Sequence, residues 1–208
     1  MNMKTNPKIQ RRRSIRLRGY DYTQPGAYFV TICAHGHDWL FGKISQTEMI
    51  LNKFGEIVQE EWFKSSQIRH EIEMDQFVVM PNHIHGIVVI TEMDRDVTGR
   101  GARPCAPTGV AVRKPKSLGA FIAGFKSAAT KRINEWRNTP DQPVWQRNYY
   151  EHIIRNDGSL KRIQEYIITN PMRWQFDRDN LNAQTDALKK NSGNILESNQ
   201  HGKVKRTT

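Results

Sequence analysis

Short stretches rich in β-branched and aromatic residues recur through the first part of the chain and predict strands. The earliest of them, AYFVTIC, follows a Pro-Gly turn. Two later stretches are separated by little more than Pro81 and Asn82, so we expect them to pair as a hairpin. The predicted strands cover residues 27–33, 40–44, 48–51, 71–80 and 83–90.

Apolar residues at a spacing of three or four predict helices elsewhere in the chain. One helix is expected over residues 53–68. A second is expected over 118–136, immediately after Ser117, which is a good N-cap residue. A third is expected over about 156–170, where an asparagine and an aspartate offer alternative caps and Pro171 ends the helix.

Strands and helices intermix at hairpin-like spacing, which favours an α+β sheet with helices packed on it over a parallel βαβ fold. The length of 208 residues predicts one domain with tails. We assign residues 1–20 to a basic N-terminal arm, 21–178 to the domain, and 179–208 to a disordered polar tail. Within the domain, residues 91–116 are rich in Gly, Pro and charge without periodicity, which predicts a flexible loop.

The charge of the chain makes it a candidate nucleic-acid binder. Lys and Arg number 32 against 21 Asp and Glu, so the net charge is +11 and the pI is about 9.8. A pI above about 9 is typical of nucleic-acid-binding domains, and a surface that only maintains solubility is the alternative. The arm has no acidic residue and is the predicted phosphate-contacting segment, through Arg11, Arg12, Arg13, Arg16 and Arg18.

The sequence gives no support to a membrane or secreted protein. No apolar run reaches the roughly 18 residues that a membrane span needs. The arm is not followed by the apolar segment of a signal peptide, and it lacks the apolar face of an interfacial helix. Cys33 and Cys105 stand far apart and suggest neither a disulfide framework nor a zinc site. We therefore expect a cytoplasmic protein.

The predicted helix 118–136 carries basic residues away from its apolar stripe. Lys126, Lys131 and Arg132 are candidate nucleic-acid contacts, and an ordinary solvated face is the alternative. Farther along, Trp145 lies in a segment dense in aromatic and polar groups. This tryptophan either stacks on a base or fills the core, and we favour the core.

Two histidines stand two positions apart on the predicted strand 83–90. Side chains alternate along a strand, so His83 and His85 are expected on one face and Ile84 on the other. At that spacing, two ring nitrogens are close enough to bind one cation. Taken alone, such a pair more commonly consists of partly buried histidines that only form hydrogen bonds.

Tyr166 and Asn170 are four positions apart at the border of the apolar face of the last predicted helix. With His83 and His85 they form a chemical set, because two imidazoles and an amide oxygen can hold a divalent cation such as Mg²⁺ or Mn²⁺. Such a cation would polarise a phosphodiester for attack by the tyrosine hydroxyl. In isolation, a packing tyrosine and a helix-ending asparagine before proline are the alternatives.

Other residues repeat parts of this pattern. His35 and His37 form a second His-x-His pair, but a glycine separates them at a predicted strand end, so we interpret them as a turn. Tyr149 and Tyr150 are alternative nucleophiles, and both lack a carbonyl-bearing side chain four positions on. Tyr166 has such a side chain in Asn170.

Several separate blocks of the sequence, spread over about residues 10–175, carry a family resemblance. They are RRRSIRLRGYDY (11–22), GAYFVTIC (26–33), MPNHIHG (80–86), VWQRNYYEHIIR (144–155) and EYIITNP (165–171). In this order they resemble the REP-associated tyrosine transposases, which are single-tyrosine transposases of the HUH superfamily.

The resemblance implies a ferredoxin-like antiparallel sheet of the HUH endonuclease type, with the histidine pair on a central strand and the nucleophile on a facing helix. It implies that His83 and His85 bind the metal and that Tyr166 attacks DNA, leaving a 5′-phosphotyrosine and a free 3′-hydroxyl. Asn170 would be the third ligand, at the place where related insertion-sequence transposases have glutamine.

The substrate of the family is a repetitive palindrome folded as a single-stranded DNA hairpin, with a tetranucleotide at its foot that the N-terminal arm helps to read. The resemblance therefore implies a metal-dependent endonuclease and strand transferase associated with the nucleoid, acting as a monomer or homodimer. His152 and Arg155 match a family block and are candidate DNA contacts, with a structural role as the alternative. The alternative functions are a domesticated, non-catalytic hairpin-binding protein and an RNA-binding protein.

Overall fold

The computed structural model describes Leu17 and residues 19–91, 116–177 and 179–180. In chain order the elements are β1 (Gly26–Cys33), β2 (Gly42–Ser45), β3 (Glu48–Leu51), α1 (Lys53–Ile68), β4 (Ile72–Val79), β5 (His83–Ile90), α2 (Leu118–Trp136), β6 (Tyr150–Ile154) and α3 (Asp157–Thr169). Short 3-10 turns cover His35–His37 and Pro171–Phe176. Most of the predicted loop 91–116 and most of the predicted tail 179–208 lie outside the described part, as do Arg11, Arg12, Arg13, Arg16 and Arg18.

A four-stranded antiparallel sheet, ordered β4-β5-β1-β6, is the centre of the fold. Helix α1 connects β1 to β4 and helix α2 connects β5 to β6, which gives the βαββαβ order of a ferredoxin-like fold. Strands β2 and β3 form a separate hairpin between β1 and α1. The predicted α+β class with a ferredoxin-like antiparallel sheet is confirmed, as is the pairing of β4 with β5.

Two helices begin at caps that the sequence indicates. The hydroxyl oxygen of Ser117 accepts a hydrogen bond from the backbone N–H of Ala120 at 3.2 Å. The side-chain oxygen of Asn156 accepts from the backbone N–H of Ser159 at 2.8 Å. Each such cap contributes about 1 kcal/mol and fixes the residue at which the helix starts. None of the described helices is both long and apolar enough to cross a membrane.

The main hydrophobic core lies between the sheet and the helices α1 and α2, and it takes the even-numbered residues of β1. The indole of Trp62 stacks on Phe77, with ring centroids 4.6 Å apart, and lies over Gly86. A Cβ at Gly86 would lie 2.4 Å from Cζ2 of Trp62, so β5 needs glycine at this point. Trp145 is buried in the same core with its ring 5.0 Å from that of Phe41, which confirms the interpretation of Trp145 as a core residue.

The opposite face of the sheet carries a smaller apolar cluster that packs under α3. Its buried members are Phe29 on β1, Ile87 on β5 and Ile167 on α3. Gln164 of α3 donates its amide hydrogens toward both carboxylate oxygens of Asp75, at 2.8 and 3.1 Å, which ties the helix to the β4 region. The odd-numbered residues of β1 and β5 therefore face α3.

Strand β6 is not predicted from the sequence. It pairs with β1 at the edge of the sheet, and its burial pattern has no apolar-polar alternation because its one buried residue is Glu151. The structure also describes residues 179–180, the first two of the predicted tail. Asn180 is buried and donates its side-chain amide to the carbonyl of Trp174 at 3.0 Å, so residues 179–180 pack on the domain.

Candidate active site

The histidine pair lies on the α3 side of the sheet, at the start of the central strand β5. Cross-strand register sets His85 opposite Thr31 and His83 opposite Cys33 of β1. The exposures of His83 and His85 are 0% and 2%. Ile84 packs into the main core on the other face, so the predicted alternation of this strand is confirmed.

Each histidine is oriented by a neighbour at its Nδ1 atom. Nδ1 of His83 lies 2.8 Å from Oδ1 of Asn82, and Nδ1 of His85 lies 2.9 Å from the hydroxyl of Thr31. Asn82 Oδ1 can only accept, so His83 donates from Nδ1 and presents the lone pair of Nε2. The two Nε2 atoms face each other at 3.0 Å. Partners at Nδ1 that direct Nε2 outward are typical of metal-binding histidines.

Burial lowers the pKa of His83 below its ordinary value. The nearby carboxylates of Asp177 and Asp179 oppose this shift, and His37 adds to it. A histidine binds a metal through its neutral form. The buried position of His83 therefore favours the state that a ligand requires.

Two oxygen-bearing side chains complete the surroundings of the histidine pair. Asn170, at the C-terminal end of α3, is 2% exposed, and its Oδ1 atom is buried without a hydrogen-bond partner among the described residues. Its amide nitrogen lies 3.4 Å from a carboxylate oxygen of Asp177. Nitrogen atoms of His83 and His85 and a carboxylate oxygen of Asp177 all lie within 4.8 Å of one another.

This donor set fits a divalent cation. When two ligand atoms bind one cation at right angles, with bonds of about 2.1 Å, the two atoms lie about 3.0 Å apart. The two Nε2 atoms have that separation. The buried, unpaired oxygen of Asn170 and the carboxylate of Asp177 are hard donors of the kind that Mg²⁺ and Mn²⁺ accept.

Tyr166, on α3, contacts the histidine pair on β5. Its hydroxyl oxygen lies 3.2 Å from Nε2 of His85. Its ring packs edge-on against Phe29, with centroids 6.0 Å apart, and the residue is 40% exposed. The side chain is therefore held by the sheet yet accessible to a large substrate.

The two rival tyrosines lie in different surroundings. Tyr150, on the edge strand β6, is exposed and lines the same pocket as Tyr166, with its ring 6.3 Å from that of Phe29. Tyr149 packs against the main core, with the ammonium of Lys126 5.9 Å above its ring. The hydroxyl of Tyr166 contacts the histidine pair directly, at His85.

An open pocket of about 460 Å³ joins these groups. Aromatic residues form much of its wall, and polar residues lie on the side of the histidine pair. Its lining residues are Phe29, Thr31, His85, Tyr150, Tyr166, Asn170, Arg173, Phe176, Asp177 and Asp179.

The three basic residues of α2 that are candidate nucleic-acid contacts form hydrogen bonds or ion pairs within the protein. Lys126 donates to the carbonyls of residues 146 and 148 at 2.8 and 3.0 Å, and Lys131 lies 3.8 Å from Glu135. Arg132 pairs with carboxylates of residues 60 and 61 at 2.5 and 2.8 Å. Helix α2 packs on the sheet face opposite to Tyr166. Structural and solvated roles are therefore favoured over DNA contact for these three cations.

The two candidates near β6 lie closer to the site. His152 is exposed and paired in register with Phe29, so its side chain is on the same face of the sheet as the histidine pair. Arg155 follows the strand and is also exposed. Both line a small pocket of about 190 Å³ together with Leu17, which belongs to the predicted arm. The five arm arginines lie outside the described residues.

Sequence reasoning missed several groups of this site. Asp177 comes from the chain after the Pro171–Phe176 turn, and no periodic pattern points to it. Thr31 and Asn82 support the histidines through cross-strand pairing and a hairpin turn. The Asn-His-x-His order was a usable signal for Asn82, because an amide next to a ligand histidine commonly orients its ring.

No protein-family model matches the chain. A Haemophilus influenzae protein of uncharacterised function is 38% identical over 181 residues, which are 86% of this chain and 98% of that protein. A second protein from the same organism, whose name assigns it to the REP-associated tyrosine transposases, is 27% identical over 156 residues, covering 75% of this chain and 76% of its own. A solved structure of a REP-associated tyrosine transposase bound to a REP hairpin shares the fold, with a TM-score of 0.50, 20% identity, and coverage of 76% and 73% of the two chains.

Proposed function

Because the chain is 27% identical to a protein named as a REP-associated tyrosine transposase and shares its fold with a solved member of that family, we propose that it belongs to the same family. We propose that it is a metal-dependent endonuclease and strand transferase acting on single-stranded DNA hairpins. The observation that carries the proposal is the hydroxyl of Tyr166, which lies 3.2 Å from Nε2 of His85. The relative of known structure is bound to a REP hairpin, and hairpins of repetitive palindromic elements are the proposed substrate here.

Tyr166 is the proposed nucleophile. A phenol with a pKa of about 10 is protonated at neutral pH and attacks only with assistance from its surroundings. Its hydroxyl loses a proton and its oxygen forms a bond to the scissile phosphorus, while the bond from that phosphorus to the 3′-oxygen breaks. The leaving 3′-oxygen takes up a proton, so the step is balanced. The products are a 5′-phosphotyrosine and a free 3′-hydroxyl. The phosphodiester of the intermediate retains the energy that rejoining requires.

His83, His85 and Asn170 are the proposed ligands of a divalent cation, Mg²⁺ or Mn²⁺, with Asp177 as a further oxygen donor. When bound, this cation supplies Lewis-acid polarisation of the phosphodiester. The protein itself supplies orientation, because neighbours hold both imidazole rings and α3 holds the tyrosine against the sheet. Such preorganised positioning accounts for a large part of enzymatic rate enhancement.

The proposed DNA interface combines the basic arm with the β6 edge. Arg11, Arg12, Arg13, Arg16 and Arg18 would contact phosphates at the foot of the hairpin. His152 and Arg155 are on or next to the edge strand, and they line a pocket with Leu17, close to where the arm enters the domain. The single-stranded segment would then reach Tyr166 across the open pocket. A monomer or a homodimer is compatible with this arrangement.

The deciding experiment is cleavage of an end-labelled single-stranded repeat hairpin with Mg²⁺ or Mn²⁺, resolved on a denaturing gel. We expect wild type and Tyr150→Phe to form a DNA-linked protein band and Tyr166→Phe to form none. Tyr150→Phe is the matched control because Tyr150 lines the same pocket without the contact to His85. A band that persists in Tyr166→Phe and disappears in Tyr150→Phe would move the nucleophile to β6.

Tight hairpin binding without cleavage by any variant would favour the domesticated, non-catalytic binding protein. Stronger competition by an RNA hairpin of the same sequence would favour an RNA-binding protein. The intact set of His83, His85 and Tyr166 supports the catalytic alternative, because neither binding function needs a nucleophile beside a pair of metal-type ligands.

A further inference from the structure

A second group of metal-type ligands lies next to the histidine pair but shares no residue with it. A thiol, an imidazole nitrogen and a carboxylate oxygen of Cys33, His37 and Asp179 all lie within 4.8 Å of one another. These residues come from the end of β1, from the 3-10 turn after it, and from the chain that follows Pro171–Phe176. The tertiary fold alone brings them together.

The imidazole of His37 carries an independent sign of a missing ligand. Its Nδ1 atom is shielded from solvent and has no hydrogen-bond partner in the described part of the chain. A buried polar atom without a partner destabilises the folded state, so an ordered water or a ligand commonly meets it. The turn holds this ring in place through backbone conformations with positive φ, 68° at Gly36 and 59° at His37.

We infer that Cys33, His37 and Asp179 form a second metal site, which binds Zn²⁺ or a cation of similar softness. A thiolate is a poor ligand for Mg²⁺, whereas thiolate, imidazole and carboxylate together are usual ligands of Zn²⁺. Three protein ligands leave one tetrahedral position to water. Binding converts the thiol of Cys33 into a thiolate and releases its proton to solvent.

The second site is mechanically connected to the first through Asn82. This residue is fully buried, and its amide nitrogen donates to the carbonyls of Asp179 and His37 at 2.7 and 3.3 Å. Its amide oxygen accepts from Nδ1 of His83. A cation held by Cys33, His37 and Asp179 would therefore fasten the segment that carries Asp177. The second site acts on the first as a positioning element and takes no part in the chemistry.

The inference does not depend on DNA cleavage, and the test uses Co²⁺ as a spectroscopic substitute for Zn²⁺. Full-length reduced protein is titrated with Co²⁺, and the thiolate-to-cobalt charge-transfer absorption in the near ultraviolet is recorded. We expect this band in wild type, its loss in Cys33→Ser, and its displacement by added Zn²⁺. The band reports sulfur ligation, so cobalt at the histidine pair contributes nothing to it.

Two control variants establish which thiolate holds the cobalt and at which of the two sites. Cys105→Ser should keep the band, which excludes a thiolate from the other cysteine of the chain. His85→Ala should also keep it, because His85 is a candidate ligand of the first site only. No band in wild type, or an unchanged band in Cys33→Ser, would overturn the inference. Zn²⁺ should also raise the melting temperature of wild type and Cys105→Ser by more than that of Cys33→Ser, which keeps only the first site.

Discussion

The hydroxyl of Tyr166 lies 3.2 Å from Nε2 of His85, and the same nitrogen lies 3.0 Å from Nε2 of His83. One atom of His85 thus faces both the candidate nucleophile and the other candidate ligand. Because His85 is on β5 and Tyr166 is on α3, their contact depends on how the helix packs on the sheet. Substitutions that remove the supports of His85 should therefore change metal binding before they change the fold.

Thr31→Val tests the orientation of His85. The variant keeps the shape of the side chain but removes the hydroxyl that lies 2.9 Å from Nδ1 of the histidine. Loss of such a partner lowers metal affinity by about 10- to 100-fold. We expect that loss for Mn²⁺ in isothermal titration calorimetry. Thr130→Val, on α2 in the opposite layer, is the matched control, and equal affinities for the two variants would contradict the role of Thr31.

Asn170→Ala tests whether the buried Oδ1 atom of Asn170 serves to bind the cation although it lowers the free energy of unfolding. The unpaired Oδ1 of Asn170 costs the folded state about 1–3 kcal/mol, so its removal offsets much of the lost packing. In EDTA we expect the free energy of unfolding to change by less than about 1 kcal/mol. Mn²⁺ affinity should fall by about tenfold or more. A large loss of stability in urea with unchanged Mn²⁺ affinity would make Asn170 structural.

Gly86→Ala and Gly124→Ala should change stability in opposite directions. A Cβ at Gly86 would lie 2.4 and 2.8 Å from ring atoms of Trp62, and overpacking of this kind costs about 1–3 kcal/mol. A Cβ at Gly124, on α2, would have Arg69 as its nearest neighbour at 3.5 Å. Alanine there should stabilise the helix by about 1 kcal/mol. Urea denaturation followed by circular dichroism measures both, and equal effects would contradict the packing of Trp62 on β5.

Arg132→Ala should affect stability rather than DNA binding. Glu61 is 5% exposed and would lose its 2.8 Å partner, which costs about 1–2 kcal/mol after allowance for the partial exposure of the arginine. Hairpin affinity and its salt dependence should stay at the wild-type values, as they should for Lys131→Ala. A shallower salt dependence in Arg132→Ala alone would restore the arginine as a phosphate contact.

The same variant has a predicted pH dependence. The hydrogen bond from Arg132 lowers the pKa of Glu60 below its ordinary value. A carboxylate with a lowered pKa in the folded state contributes stability at neutral pH, and this contribution is lost as the pH falls through that lowered pKa. The difference in unfolding free energy between wild type and Arg132→Ala should therefore shrink in acid. A difference that stays constant down to the acid range would exclude the ion pair as its source.

The local elements of the fold are largely predictable from the sequence. Helices α1 and α2 are predicted with their observed bounds, because apolar spacing and the cap at Ser117 are local signals. Strand β5 is predicted with its observed bounds as well, and its alternation places both histidines on one face. Strand β6 is not predictable in this way, because an edge strand with a buried glutamate lacks the pattern that marks a strand.

The site is predictable only in part, because its residues differ in how their positions are determined. Two pairs of residues have a spacing that places both members on one face of their element. They are His83 and His85 on a strand, and Tyr166 and Asn170 on a helix. Which pair faces which depends on α3 packing across the sheet. Asp177 follows a 3-10 turn, and its position depends on tertiary contacts such as the hydrogen bond of Asn180 to Trp174.

Alternate residues of strand β1 have different roles, because they lie on opposite faces of the sheet. Its even-numbered side chains belong to the large core, whereas Phe29, Thr31 and Cys33 face α3 and the two metal-type clusters. A substitution at an odd position can therefore alter chemistry while the hydrophobic core of the opposite layer keeps its packing. Point mutations during evolution could therefore change the metal, the nucleophile or the target of this protein while the existing fold is kept.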